Sequence, residues 1–256
     1  MTSLPEVIAA AEPIADGFRA VVPDNWLQGR TAYGGLSAAL ALHAAIEADA
    51  DLPQLRSAQV AFIGPLAGEV TVKATLLRRG RNAAFVQADV TGANGLGLRA
   101  TFVFMAPIAS QLDQPAGEAP RFALPGPETK TYHGMATVPF TQNFEFVDQR
   151  DGLGAAEWLR WIRLREREGL NPAVELMAVA DALPPAALKL IGGHAPLSSM
   201  TWQINLLDVP VTRDGWWLLR AVADHARSGN SSQRMQVWNA DGVAVAEQVQ
   251  SVAIFA

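Results

Sequence analysis

The chain contains no cysteine. That excludes a disulfide framework, a thiolate nucleophile and a cysteine-bound metal, and it fits a reducing compartment. It has no long basic run, and its net charge is −5, so a nucleic-acid partner would have no electrostatic footprint to rest on. Its apolar stretches are broken by Gly, Pro or charge well before the ~18 residues that a membrane-spanning helix needs. The N-terminal "MTSLPEVIAAAEPIADGF" lacks a basic start and carries Glu6, Glu12 and Asp16, so a signal peptide is not expected. His133 and His194 fall in loop-like stretches, and no pair of histidines has metal-ligand spacing. The G-x-S-x-G pattern of serine hydrolases is absent as well. A soluble cytoplasmic protein with no metal and no other cofactor is the expectation.

What is present is apolar and repetitive. Half of the 256 residues are hydrophobic, and the length suits one large domain or two of about 110 to 130 residues. Residues 35–47 read as a helix of small apolar side chains. "LRSAQVAFIGPL" (55–66) reads as a strand ending in a Gly-Pro turn, residues 68–92 as two strands joined around Gly80, and residues 92–106 as a turn and a further strand. Residues 107–137 are rich in Pro, Gly and Ala and make a linker. The order then returns. Residues 171–183 read as a helix with Pro172 in its first turn, and 196–210 as a strand. Residues 215–242 read as two strands joined around 228–231, and 241–256 as a turn and a last strand. Gly68 and Gly215 stand 147 residues apart, and so do Gly95 and Gly242. A repeat of this size means two similar domains packed together rather than a solenoid. Each copy is a helix followed by antiparallel strands, an α+β arrangement.

The Gly34-Gly35 pair opens the first helix and admits two readings. Glycines there let another part of the chain approach the backbone closely. A phosphate-binding loop would need a strand leading in and Lys-Ser/Thr after the glycines, and here Leu36-Ser37 follows.

Three stretches together, "WLQGRTAYGGLSAALALHAA", "FIGPLAGEVTVKATLLRRGRNAAFVQADV" and "DGVAVAEQVQ", resemble the double-hotdog acyl-CoA thioesterases, the type II group and its thioesterase-like relatives. The resemblance runs from about residue 15 to the end. It implies an α+β double hotdog with two antiparallel sheets, each wrapped around a long apolar helix. The N-terminal hotdog would span 1–106 and the C-terminal one 138–256, joined by the linker. It implies hydrolysis of a fatty acyl-CoA to free acid and CoA by a directly attacking water, with acyl-CoA as the partner and a homodimer of double hotdogs as the assembly. In that family an Asp, a Thr or Ser, and a Gln from the C-terminal copy hold the water. The last strand places the glutamine at Gln250. The strand "SSMTWQIN" puts Thr201 where the family has its Asp. Counting back from Asp241-Gly242 puts Asp224 where it has its Thr, or His225 with a one-residue shift.

The expected catalytic set is therefore Asp224, Gln250 and Thr201. Tyr33, Gly34, Gly35, Arg81 and His225 are expected to meet the substrate, the glycines beside the thioester and Arg81 at the CoA phosphates. Offsetting Gln250 and Asp224 by the repeat gives Val103 and Leu77 in the first copy, hydrocarbon where the second copy has polar groups. Each polar side chain also has a structural reading: threonine suits strands through its β-branching, and Asp224 can simply face solvent. Two other functions stay open. One is an enoyl-CoA hydratase or dehydratase, for which Asp224 and His225 would be the acid-base pair, although neighbours in a strand face opposite sides. The other is a non-catalytic acyl or CoA binding module.

Overall fold

The computed structural model describes residues 1–192 and 195–255; His194 lies outside them. In the N-terminal half, a short helix α1 (Leu4–Ala9) precedes β1 (Glu12–Ile14) and β2 (Gly17–Val22). A small hairpin, β3 (Leu27–Gln28) and β4 (Thr31–Ala32), then leads into helix α2 (Gly34–Glu47). Strands β5 (Leu55–Phe62), β6 (Gly68–Arg79), β7 (Ala83–Gly92) and β8 (Gly95–Met105) complete this half. Residues 106–131 contain neither helix nor strand. The C-terminal half runs β9 (Tyr132–His133), β10 (Phe144–Asp148), β11 (Glu157–Leu164), helix α3 (Pro172–Ala180) and β12 (Leu197–Leu206), then β13 (Trp217–Arg227), β14 (Asn230–Trp238) and β15 (Ala244–Ile254).

Apart from the β3–β4 hairpin, the strands among the described residues form one antiparallel sheet rather than two. Its order is β1-β2-β6-β7-β8-β5-β12-β15-β14-β13-β11-β10-β9, thirteen strands in all. The halves join where β12 pairs with β5, Gln203 opposite Gln59. Paired edges leave no unsatisfied backbone between the copies, which is why two sheets have merged into one. The repeat is visible in the turns: Gly68, Gly95, Gly215 and Gly242 have φ of 63°, 97°, 70° and 80°, a region that only glycine enters freely.

Helix α2 is buried on nearly every side, as an apolar helix without a polar face must be. It packs on β6, β7 and β8, and against α3. The second helix is shorter than its sequence pattern, ending at Ala180 rather than 183. Pro184 and Pro185 cannot continue a helix, and the residue before a proline avoids the helical region. The inner face of the sheet and the three helices make one core, from Leu4 through Phe102, Phe104, Leu40 and Met177 to Trp217. A smaller cluster, Leu159, Trp161, Trp216, Leu218 and Trp238, lies on the outer face of the C-terminal half, with Phe122 and Leu124 of the irregular segment packed on it. Among the described residues, no helix is long and apolar enough to cross a membrane.

Candidate active site

Asp181 is the residue that ends α3. A carboxylate is disfavoured at a helix C-terminus, where the dipole is negative. The N-terminus of α2 faces it. A Cβ on Gly34 would stand 2.7 Å from Asp181 Oδ2 and 3.0 Å from the Phe62 ring, so only glycine leaves room for this approach. The Gly35 N–H holds the carboxyl toward its ionised form. The glycine pair is thus a close-approach device, and what approaches is a carboxylate of the same chain. Tyr33, just ahead, is buried behind the site. Its hydroxyl donates to the Ala178 carbonyl at 2.8 Å, and its ring stacks on Phe140 at 4.1 Å.

The other members come from the sheet. Gln250 on β15 is 3 % exposed and Gln233 on β14 is 0 % exposed, and the two sit opposite each other. Gln250 Nε2 donates to Asp181 Oδ1 at 2.8 Å and to Ser199 Oγ at 3.2 Å. Gln250 Oε1 accepts from Gln233 Nε2 at 2.6 Å, and Gln233 Oε1 accepts the Ala186 N–H at 2.9 Å. The backbone N–H at Ala186 therefore fixes one amide, that amide fixes the next, and the donor end of Gln250 is left with Asp181 and Ser199.

Burial pushes the Asp181 carboxyl up to about 7, against the lowering effect of Gln250 and Gly35. The carboxyl lines a cavity. That cavity encloses about 880 Å³ and has Asp181, Ser199 and Gln250 in one wall. Met135, Val138, Phe140, Phe146, Leu183 and Leu188 supply apolar lining. A carboxyl that titrates near neutrality beside an apolar cavity can take a proton from a bound water and return it.

Of the residues expected from sequence, Gln250 lies in this site, with Gly34 and Gly35 against it. Thr201 and Asp224 do not. Thr201 alternates with the buried Trp202 and Ile204 and so faces outward, and a β-bulge between Ser199 and Thr201 adds Met200 to the strand and leaves Ser199 on the inner side. A second bulge, between Ala223 and His225, falls at Asp224. Asp224 is exposed and paired with Arg234 at 2.7 Å, and the hydrogen bond from Arg234 holds its carboxyl below the usual range. His225 is exposed on the same strand end, and Arg81 is exposed at the β6–β7 turn. Sequence reasoning passed over Asp181, Ser199 and Gln233. One signal was available: Asp181 is an acid at the C-terminal end of a mostly apolar helix, where the dipole gives it no support, whereas the helix's other acid, Glu175, sits in the first turn.

The offset between the copies also changes at the last strand. Gln233 opposes Gln250, and Val86, 147 residues before Gln233, opposes Phe102 rather than Val103. Val86 and Phe102 are both 0 % exposed. The first copy thus has hydrocarbon at the positions where the second has two amides.

Family models for the acyl-CoA thioesterase N-terminal domain and C-terminal domain match residues 22–105 and 115–254 respectively. No curated protein matches the chain by sequence. Among solved structures it is similar to a conserved protein of unknown function with a hot dog fold from Alicyclobacillus acidocaldarius, with TM-score 0.86, 22% identity and coverage of 100% of this chain and 99% of that one. It is similar to the TesB protein of Mycobacterium avium subspecies paratuberculosis, with TM-score 0.79, 18% identity and coverage of 99% and 100%. It is also similar to the acyl-CoA thioesterase II TesB2 of Mycobacterium marinum, with TM-score 0.74, 16% identity and coverage of 98% and 97%.

Proposed function

Since the chain belongs to the acyl-CoA thioesterase family, whose members hydrolyse thioesters, we propose that it hydrolyses an acyl-CoA by direct attack of water, with Asp181 as the general base. The observation that carries this reading is Asp181 itself, raised to about 7 by burial and held by Gln250 at 2.8 Å in the wall of the cavity. Ionised, it accepts a proton from a water that Ser199 Oγ orients. The water oxygen bonds to the thioester carbonyl carbon, and the carbonyl becomes an oxyanion. The positive end of the α2 dipole, which faces Asp181 across Gly34, lends that charge electrostatic support. The tetrahedral intermediate then collapses, the C–S bond breaks, and the proton on Asp181 passes to the departing CoA sulfur. Gln250 holds the base and the hydroxyl in one geometry throughout, a positional contribution. The apolar lining suits an acyl chain.

The hydratase reading loses its support, because Asp224 and His225 are exposed and Asp224 is committed to Arg234. Steady-state release of CoA thiol from a panel of acyl-CoA esters tests the proposal. Asp181→Asn should lower kcat by roughly 10²-fold or more, and Asp224→Asn should leave it within about two-fold, the usual small effect of a surface change. A protein that cleaves none of the panel, or an Asp181→Asn variant with full rate, would overturn it.

A further inference from the structure

The cavity has a second polar end. Trp158 and Arg160 on β11 face the same inner side of the sheet as Gln250, and both line the cavity with Lys189. β15, β14, β13 and β11 are consecutive in the sheet, so Trp158 stands about 15 Å from Gln250 at normal strand spacing. The Arg160 guanidinium lies 5.3 Å from the Trp158 ring centre and 5.0 Å from that of Phe146, and the Lys189 ammonium lies 4.7 Å from Trp158. The Arg160 side chain is only 11 % exposed. Its Nε binds the Asp148 carboxylate, which also accepts the Tyr132 hydroxyl at 2.6 Å. Among the described residues, its two terminal nitrogens have no hydrogen-bond partner, Lys189 Nζ has only the Glu157 carbonyl at 2.7 Å, and the Trp158 indole N–H has none.

A cavity built for a plain alkyl chain gains nothing from two cations at its far end, since withdrawing them from water is costly. Arg30, Arg160 and Lys189 are the cations of the lining and Asp181 is its one acid. Building on the thioesterase reading above, we propose that the Arg160–Lys189–Trp158 end of the cavity binds a carboxylate at the distal end of the acyl group. The preferred substrate class would then be the CoA ester of a medium-length dicarboxylic acid. The planar guanidinium fork matches a single carboxylate, and its Nε is already fixed by Asp148, so little freedom is lost on binding.

The experiment compares hexanoyl-, octanoyl- and decanoyl-CoA with adipoyl-, suberoyl- and sebacoyl-CoA. At one matched length, kcat/KM for the carboxylated ester should be about ten-fold to a hundred-fold higher, the range of a hydrogen bond to a charged group. Lys189→Met, and Arg160→Met combined with Asp148→Asn so that no carboxylate is orphaned, should bring that ratio toward one, mainly through KM. Calorimetric binding of free sebacate and free decanoate reads the same end without turnover, and sebacate should bind more tightly and depend on Lys189. Hydrolysis of plain esters with no preference for the carboxylated ones overturns this inference and leaves the thioesterase reading intact. Tighter sebacate binding without any hydrolysis does the reverse. If the variants lose the same factor on both ester classes, and dephospho-CoA esters abolish that loss, the cations read a CoA phosphate and the proposal falls.

Discussion

At the scale of single residues, Asp181 ties stability and rate to the same titration with opposite signs. Burial raises its pKa to about 7, well above the ordinary carboxylate range. Between that range and about pH 7, the folded chain keeps a proton that the unfolded chain has lost, so stability falls as pH rises through this window. The base works only when ionised, so kcat/KM should rise through the same window. Thermal melting of the wild type should therefore drop from about pH 5 to about pH 8, and Asp181→Asn should flatten that dependence while remaining nearly inactive. Melting that does not change with pH, or changes equally in the variant, would contradict the assignment. Gln233 offers a second test. It touches Gln250 and Ala186 but not the base, so Gln233→Leu should reduce kcat about ten-fold by freeing the Gln250 amide. It should also cost about 1–3 kcal/mol in urea unfolding, because the Ala186 N–H and Gln250 Oε1 lose their buried partner. Asp181 was hard to read in the sequence because its environment comes from the start of α2, far away in the chain. Gln250 was legible through the resemblance of its strand, and Gln233 had no such signal.

At the scale of elements, the strands and their glycine turns were legible and the registers were not. Period-two alternation identifies a strand, but a single extra residue moves every following side chain to the other face. The bulge at Met200 is why Ser199 rather than Met200 points inward, and the bulge at Asp224 is matched at Leu77, its equivalent by the repeat. The chain contains no local sign of either, because a bulge is set by pairing with a partner strand. The two sheets expected from the repeat also merged, because the β5–β12 pairing is a contact between copies that neither copy specifies alone. The helix start, by contrast, is a local feature with a sharp consequence. Alanine favours helix over glycine by ~1 kcal/mol, so Gly34→Ala should leave circular dichroism unchanged. Its Cβ would displace the Asp181 carboxylate, and kcat should fall by ten-fold to about 10²-fold, the cost of misplacing a catalytic group by an ångström. Full activity in that variant would separate the α2 start from the chemistry.

At the scale of the whole molecule, the two copies share a framework and differ in what they place on it. Val86 and Phe102 pack where Gln233 and Gln250 form the amide relay. Phe102→Leu should destabilise the fold by about 1–3 kcal/mol through lost packing, yet leave kcat close to that of the wild type. A loss of rate without a loss of stability would mean that the first copy takes part in the chemistry. The sheet that joins the halves should also unfold as one unit, since β5 and β12 are interior strands to both.

That division of labour depends on the covalent bond between the copies. In a pair of identical short chains, each substitution appears twice, and an amide that serves one site would also be planted in the opposite core. Here a single polypeptide always delivers one Val86 half with one Gln233 half, in fixed ratio and fixed order. Asp181 at the end of one helix can therefore rely on meeting Gly34 at the start of the other. The irregular segment at 106–131 contributes no group to the proposed chemistry. By guaranteeing which halves meet, it lets the two copies become different from each other.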